Sequence, residues 1–308
     1  MRNHREIIMK LVQVYHYDAF SNEPNKGNPA GIVLDANNLT DAQLQNIASR
    51  VGFNETAFIC KSAKADFKIR YFTPGHEMDL CGHATIATIY ALTTKGLIAN
   101  KTEITIDTNI GVLPISISKS PSGEAYITMQ HAPPQFEAFL GSKKDLTQSL
   151  GIAESDLDDK FPIVYGSTGV WTLLVPIKSI DIFKNMKPNN QLFPSILQQK
   201  PKVSVHPFCV ETYSSNTDMH ARHFSSPFSG TIEDPVTGTA SGVMGAYFIK
   251  YIKPFDRGVQ RFVIEQGQEI SKDGKVIVEV ITNDNNFDVK ITGSAVYVND
   301  FTLVIANN

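Results

Sequence analysis

Cysteine is scarce. The 308 residues hold three, Cys60, Cys81 and Cys209, an odd and widely spaced set. They make no disulfide framework, and the absence of a CxxC pair gives structural zinc no footing. Charge of one sign is also scarce: 28 Lys and Arg stand against 31 Asp and Glu, a formal net charge of −3. That balance leaves no electrostatic footprint for nucleic acid and no basic run for a membrane surface. No apolar run approaches the ~18 residues of a membrane span. The leader Met1–Lys10 carries Arg2, Arg5 and Glu6 around Ile7-Ile8-Met9, an apolar run too short for a signal-peptide core. A cytoplasmic protein with a small-molecule partner is expected. Met9 is a second candidate start, with the first eight residues as a frayed end. Phosphate-binding and dinucleotide loops of the G-x-x-x-x-G-K-[ST] and G-x-G-x-x-G types are missing. His16, His131, His206, His220 and His223 show neither HxxxH nor HExxH spacing. No cofactor and no metal are expected.

What is present is a long series of short apolar-alternating segments. Leu11–Tyr17, Ala30–Leu34, Ala57–Cys60, Phe67–Phe72, Thr102–Asp107, Val112–Ser118 and Ala125–Gln130 read as strands. In the second half Phe161–Val164, Trp171–Pro176, one or two within Lys202–Thr212, Met219–Phe224, Arg261–Glu265, Lys275–Val280, Phe287–Thr292 and Ala295–Leu303 read likewise. Asp41–Arg50 has helical periodicity behind a Thr40 cap. Thr85–Thr94 and Ala240–Tyr251 are apolar on every side, as helices buried all round would be. Many strands with one deeply buried helix per half argue for an α+β fold. Length alone gives about two domains at roughly 150 residues each. The Pro- and Gly-bearing stretch His131–Gly141 sets the expected division at 1–131 and 132–308, with the last strand near 295–308 free to pack back on the first half.

One internal similarity stands out. Arg70-Tyr71-Phe72-Thr73-Pro74 leads to Asp79-Leu80-Cys81-Gly82-His83 and an apolar helix. Arg222-His223-Phe224-Ser225-Ser226-Pro227 leads to Asp234-Pro235-Val236-Thr237-Gly238-Thr239 and the other apolar helix. The period is far longer than that of a solenoid, which points to domain duplication. Gly82 and Gly238 each open a buried helix, where free N–H groups and the positive end of the dipole suit an anion. Glycine there also lets a carboxylate approach the backbone. Either glycine alone reads as well as a tight strand-to-helix turn; the pair, each preceded by Asp, favours a binding site.

Asp18-Ala19-Phe20, Gly27-Asn28-Pro29-Ala30, Asn54-Glu55-Thr56-Ala57-Phe58, Arg70–Pro74, Asp79–Thr85 and Asp234–Ala240 together resemble the ordered signatures of the PhzF-like, phenazine-biosynthesis-like family. Gly166-Ser167-Thr168-Gly169 resembles a further family turn. The resemblance implies a diaminopimelate-epimerase-like fold: two pseudo-symmetric domains, each a mostly antiparallel sheet curled around a central helix, one helix from about 82 and the other from about 238. It implies an active cleft where the two helix starts meet, a homodimer, and cofactor-independent isomerisation of a small carboxylate by proton transfer. Carried over by motif, Glu55 is the acid/base, with His83 and Asp234 beside it. Asn28, Gly82, Gly238 and Thr239 are the implied substrate-binding positions. Thr239 departs from the family's serine but keeps a hydroxyl.

The residue chemistry agrees with those roles. Glu55 lies between Phe53 and Phe58, a setting expected to be partly apolar, as an acid/base carboxyl requires. A histidine at a helix N-terminus is expected to stay neutral. Against each role stands a bland reading: a surface or capping carboxylate for Glu55, a satisfied buried histidine for His83, a turn residue before Pro235 for Asp234. In the related epimerases two cysteines act as opposed acid and base. Here Cys81 occupies the first position and Thr237 the second. A threonine hydroxyl does not ionise near neutrality as a thiol can, so Cys81 reads as a packing residue and Cys60 and Cys209 as buried and inert. Gln266-Gly267-Gln268 resembles a family turn, but the usual Gly-Arg-Pro after it is replaced by Ile270–Gly274. Two other readings remain open: a one-base amino-acid epimerase or racemase, and a non-catalytic binding or scaffold protein.

Overall fold

The strand-rich reading carries into the computed structural model, which describes residues 9–255, 257–283 and 286–306. The question of a Met1 or Met9 start concerns residues 1–8, outside the described residues. In chain order the first elements are β1 (Met9–Ala19), β2 (Asn28–Val33), α1 (Asp41–Val51), β3 (Glu55–Cys60), β4 (Phe67–Phe72), β5 (Glu77–Met78), α2 (Gly82–Thr94), β6 (Glu103–Thr108) and β7 (Gly111–Lys119). There follow β8 (Ala125–Gln130), β9 (Gln135–Ala138), α3 (Lys143–Leu150), β10 (Val164–Ser167), β11 (Trp171–Pro176), α4 (Phe193–Ile196), β12 (Ser204–Cys209) and β13 (Met219–Ala221). Last come α5 (Gly238–Tyr247), β14 (Arg257–Gln266), β15 (Gly274–Asn283), β16 (Asn286–Gly293) and β17 (Ala295–Ala306). The fold is α+β and mostly strand.

Two compact units divide the chain. Unit 1 is Met1–Asn25, Pro29–Ala125 and Ser294–Asn308; unit 2 is Lys26–Asn28 and Tyr126–Gly293. In unit 1 the strand order is β17-β1-β2-β3-β4-β6-β7, with β2–β3 and β4–β6 parallel and β3–β4 and β6–β7 antiparallel. In unit 2 it is β9-β10-β11-β12-β13-β14-β15-β16-β8, with β11–β12 and β13–β14 parallel and the other pairs antiparallel. The runs β2-β3-β4-β6-β7 and β11-β12-β13-β14-β15 therefore share one pattern of parallel and antiparallel neighbours. In each, the central helix is inserted at the same step.

Those helices are buried because their sequences offer water nothing. α2 buries His83–Ile89, Ala91 and Leu92 and packs on β1, β3 and β17. α5 packs on β10, β11, β15 and β16, strands from both ends of the unit 2 order, so that sheet curls around it. Small residues permit the approach: a Cβ on Gly245 would lie 2.7 Å from Val278 Cγ1, and one on Gly242 would lie 2.9 Å from His131 Nδ1. Outside the central layer, α1 is amphipathic. Thr40 and Gln43 form its capping box, and Leu44, Ile47 and Ala48 join Val12, Val14, Phe58 and Phe72 in one cluster.

The motif pair is repeated in detail. Arg70 grips Glu77 with Nε and Nη2, both at 2.7 Å, and lies 5.1 Å over the Phe72 ring. Arg222 grips Glu233 with the same two nitrogens at 2.9 and 2.7 Å and lies 4.7 Å over Phe224. Such planar two-point pairs fix orientation as well as charge. Each fork holds the turn that leads into a central helix.

Several sequence expectations are corrected. Strand β10 begins at Val164, not Phe161, because Pro162 has no N–H for a ladder; its carbonyl accepts the Tyr247 hydroxyl instead. The Lys202–Thr212 stretch, read as one or two strands, holds one, β12. The second apolar helix is α-helical only to Tyr247 and continues as a π turn, Phe248–Ile252. Helix α3 was not expected; Ser142 caps it and Gly151 ends it in the left-handed region.

Unit 2 also buries a charged triad. His220 sits between Glu265, 3.2 Å from Nδ1, and Glu269, 3.0 Å from Nε2. Burial opposes the imidazolium, but the two carboxylates outweigh it and hold His220 above its ordinary value. Burial likewise opposes charge on Glu265 and Glu269, and His220 and backbone N–H groups hold both below theirs. The raised histidine contributes stability below its unfolded value, about pH 6.5, and loses it as pH rises through the folded one; the lowered carboxylates contribute above about pH 4.3 and lose it as pH falls. The stability gap between wild type and His220→Asn, from urea unfolding, is therefore expected to be widest between about pH 4.5 and 6.5, about 3 kcal/mol, and to narrow on both sides. A gap independent of pH would contradict this.

Candidate functional site

Strand β3 begins at Glu55, and α2 begins one residue after Cys81. Together they form a small polar cluster in unit 1. His83 Nε2 lies 3.2 Å from Glu55 Oε2, and both side chains are largely buried, at 9% and 14% exposure. The pair is close enough for charge attraction but misaligned for a hydrogen bond, so Oε2 is buried with no hydrogen-bond partner. Cys81 Sγ completes the cluster, 3.4 Å from His83 Nδ1. Burial pushes the thiol up from its ordinary value, as does the Glu55 carboxylate; His83 opposes this.

The expectation of a neutral His83 is reversed. Burial opposes its charge, but the sulfur of Cys81 and the Glu55 carboxylate hold the imidazole well above its ordinary value. Cys81, expected to be packing alone, touches the histidine. Cys60 is only partly buried, while burial pushes the Cys209 thiol up to about 12. Gly82 opens α2, whose cap residue Cys81 makes no side-chain cap hydrogen bond, leaving the first-turn N–H groups without that partner. Thr85 reaches back to the Cys81 carbonyl at 2.7 Å and meets the buried Tyr71 hydroxyl at 2.6 Å, pinning the helix start.

A second cluster lies in unit 2. Asp234 accepts from Asn28 Nδ2 at 2.8 Å and from the Thr237 hydroxyl; the same Asn28 nitrogen reaches the Val236 carbonyl at 2.8 Å. Gln266, fully buried, ties this turn together: Nε2 donates to the Asp234 carbonyl at 2.7 Å and Oε1 accepts from the Thr237 N–H at 3.1 Å. Gly267 follows at φ +99°, and a Cβ there would meet the Pro235 carbonyl at 2.8 Å. Gly238 opens α5, again with no side-chain cap hydrogen bond from its cap residue, Thr237. The Thr239 carbonyl accepts from Thr168 Oγ1 at 3.2 Å, and Thr168 in turn meets His131 Nδ1 at 3.1 Å.

The structure thus groups Glu55 with His83, and Asn28 with Asp234 at the turn before Gly238 and Thr239. Sequence reasoning missed Gln266 as the clamp of that turn, although its Gln-Gly step was visible, and missed Cys81 as a neighbour of His83. Among the described residues no helix is long and apolar enough to cross a membrane.

A family model, the phenazine biosynthesis-like proteins (PhzC-PhzF), matches residues 17–300. The chain belongs to that family. Its members include isomerases, and the chain is an enzyme of that class. It is 52% identical over 290 residues to the uncharacterized isomerase YfhB of Bacillus subtilis, covering 94% of this chain and 97% of that one. It is 26% identical over 297 residues, 95% of this chain and all of the other, to the trans-2,3-dihydro-3-hydroxyanthranilate isomerase of Pseudomonas chlororaphis. Among solved structures, a PhzF-family phenazine biosynthesis protein of Bacillus anthracis matches with a TM-score of 0.94 at 53% identity, covering 96% of this chain and all of that one. A hydroxyproline epimerase of Agrobacterium vitis shares the fold, with a TM-score of 0.64 at 13% identity over 97% and 92% of the chains.

The clamp makes a prediction that needs no substrate. Gln266→Leu strands the Asp234 carbonyl and the Thr237 N–H, and unfolding in urea is expected to show a loss of about 1–3 kcal/mol. A loss below about 0.5 kcal/mol would show that the turn holds without it.

Proposed function

We propose that the chain is a cofactor-independent isomerase that moves a proton on a small carboxylate-bearing substrate, with Glu55 as general acid/base. The observation that carries this reading is the Glu55 Oε2 atom, buried without a hydrogen-bond partner and 3.2 Å from His83. Beyond the His83 ion pair this buried oxygen makes no hydrogen bond, which leaves it open to a reacting proton. Glu55 takes a proton from a carbon beside an electron-withdrawing group and returns it to another position, so the substrate is rearranged with no net change in composition. His83, held toward its charged form, stabilises the negative charge that develops on the substrate. The uncapped first turn of α2 at Gly82 offers N–H groups to a carboxylate. Within unit 2, Asp234, oriented by Asn28 at the turn before Gly238 and Thr239, is a polar cluster of its own whose chemistry suits an amino or hydroxyl group. The dihydro-hydroxyanthranilate isomerase among its relatives motivates cyclic hydroxy- and amino-carboxylates as the first compounds to try.

A second reading, a one-base epimerase of amino acids, is favoured by one observation: the Cys81 thiol beside His83 gives this cluster another proton carrier. The matching position before α5 is Thr237, which argues against a two-thiol exchange. On any compound that wild type turns over, Glu55→Gln is expected to keep the fold and lower kcat by about 10²–10⁴-fold, the effect of losing a general acid/base. Cys81→Ser is expected to keep most of the activity. Full turnover by Glu55→Gln would remove Glu55 from the mechanism; loss confined to Cys81→Ser would favour the epimerase.

A further inference from the structure

Glu55, Cys81 and His83 offer a carboxylate oxygen, a sulfur and a ring nitrogen that all lie within 4.8 Å of one another. Sequence spacing gave no sign of this, because the donors come from a strand and from the residues flanking a helix start. We propose that this trio is a zinc-binding site, and that zinc bound there shuts the enzyme off by occupying the proton-transfer groups. The inference rests on the catalytic reading of Glu55 only for its second half.

The geometry suits a tetrahedral ion. Zinc bonds of about 2.3 Å to sulfur and about 2.0–2.2 Å to nitrogen and oxygen put neighbouring donors roughly 3.4–3.6 Å apart. His83 Nε2 stands 3.9 Å from Cys81 Sγ and 3.2 Å from Glu55 Oε2, so shifts of a few tenths of an ångström bring these two edges to zinc distances, and the Glu55–Cys81 edge, within 4.8 Å, must close further. The donor set is selective: thiolate with imidazole favours zinc over magnesium or calcium, which seek oxygen alone. A further sign is Glu55 Oε2, buried and making no hydrogen bond beyond its ion pair with His83. On binding, the ion displaces the thiol proton of Cys81 and the second ring proton of His83, both released to solvent; no redox step is involved. Three protein ligands leave a fourth position for water or a substrate carboxylate.

The test measures binding before activity. Purified full-length protein, stripped with chelator, is titrated with zinc by calorimetry, and separately with cobalt(II) as a spectroscopic stand-in. One zinc per chain, and a thiolate-to-cobalt charge-transfer band with tetrahedral visible absorption, are expected. Cys81→Ser should abolish that band, and Cys81→Ser and Glu55→Gln should each weaken zinc at least about tenfold. Thermal melts establish that the variants fold, and the cobalt spectrum of wild type needs no variant at all. Added zinc should inhibit wild type, and chelator should restore it. No band and no stoichiometric zinc would overturn the site. Stoichiometric, Cys81-dependent zinc that leaves turnover unchanged would overturn the inhibitory role. If Glu55→Gln retained full activity while the cobalt band persisted in wild type, the site would stand and the catalytic assignment of Glu55 would fall.

Discussion

A carboxylate and an imidazole pressed together at the uncapped start of a buried helix are the constraint on which the proposed chemistry rests. Glu55 arrives on the first residue of β3, and His83 on the second residue of α2. The helix cannot move away, because its apolar sides are packed against β1, β3 and β17. Nor can its first turn unwind freely, since Thr85 is tied to both the Cys81 carbonyl and the Tyr71 hydroxyl. Removing these groups from water favours a partner for each, and the pairing leaves one oxygen of Glu55 without a hydrogen bond. Preorganisation of this kind is what a site needs if proton transfer is to require little rearrangement.

The same local architecture was used twice. In each unit an Arg-x-Phe strand leads to a glutamate gripped at two points, then a turn, then a Gly-opened buried helix inserted at the same step of the strand order. The two turns differ in chemistry. The first ends in Cys81 and His83. The second ends in Asp234 and Thr237, bound by Asn28 and by the buried amide of Gln266. The two units share the framework; the residues at the helix starts supply the difference.

Much of this was legible in the sequence. Two helices apolar on every side announce burial without any knowledge of their neighbours, and the Arg-x-Phe and Asp…Gly repeats mark the units because each residue has a local task. Gly82 and Gly238 stand out for the helices they open, whereas Glu55, His83 and Asp234 are reached through the family resemblance. What stayed hidden depends on side chains meeting across elements. The charge state of His83 reads one way from the helix dipole and the other way once a carboxylate stands at 3.2 Å. Cys81 looks like packing until its sulfur is found beside an imidazole, and Gln266 looks like a turn residue until both ends of its amide are accounted for. Strand β10 starts late because one proline lacks a donor, and helix α3 went unseen because its short amphipathic run depends on a neighbouring apolar cluster for burial.

The central claim is that Glu55 carries a proton to and from carbon. Its most direct test is turnover of a verified substrate in D₂O, with deuterium located in the product by mass spectrometry and NMR. The account predicts deuterium at the carbon that gains the proton in those turnovers where the Glu55 carboxyl exchanges with solvent, the configuration of the other centres unchanged, and incorporation slowed by about 10²–10⁴-fold in Glu55→Gln. Equal rates of turnover and of incorporation by wild type and Glu55→Gln would contradict it.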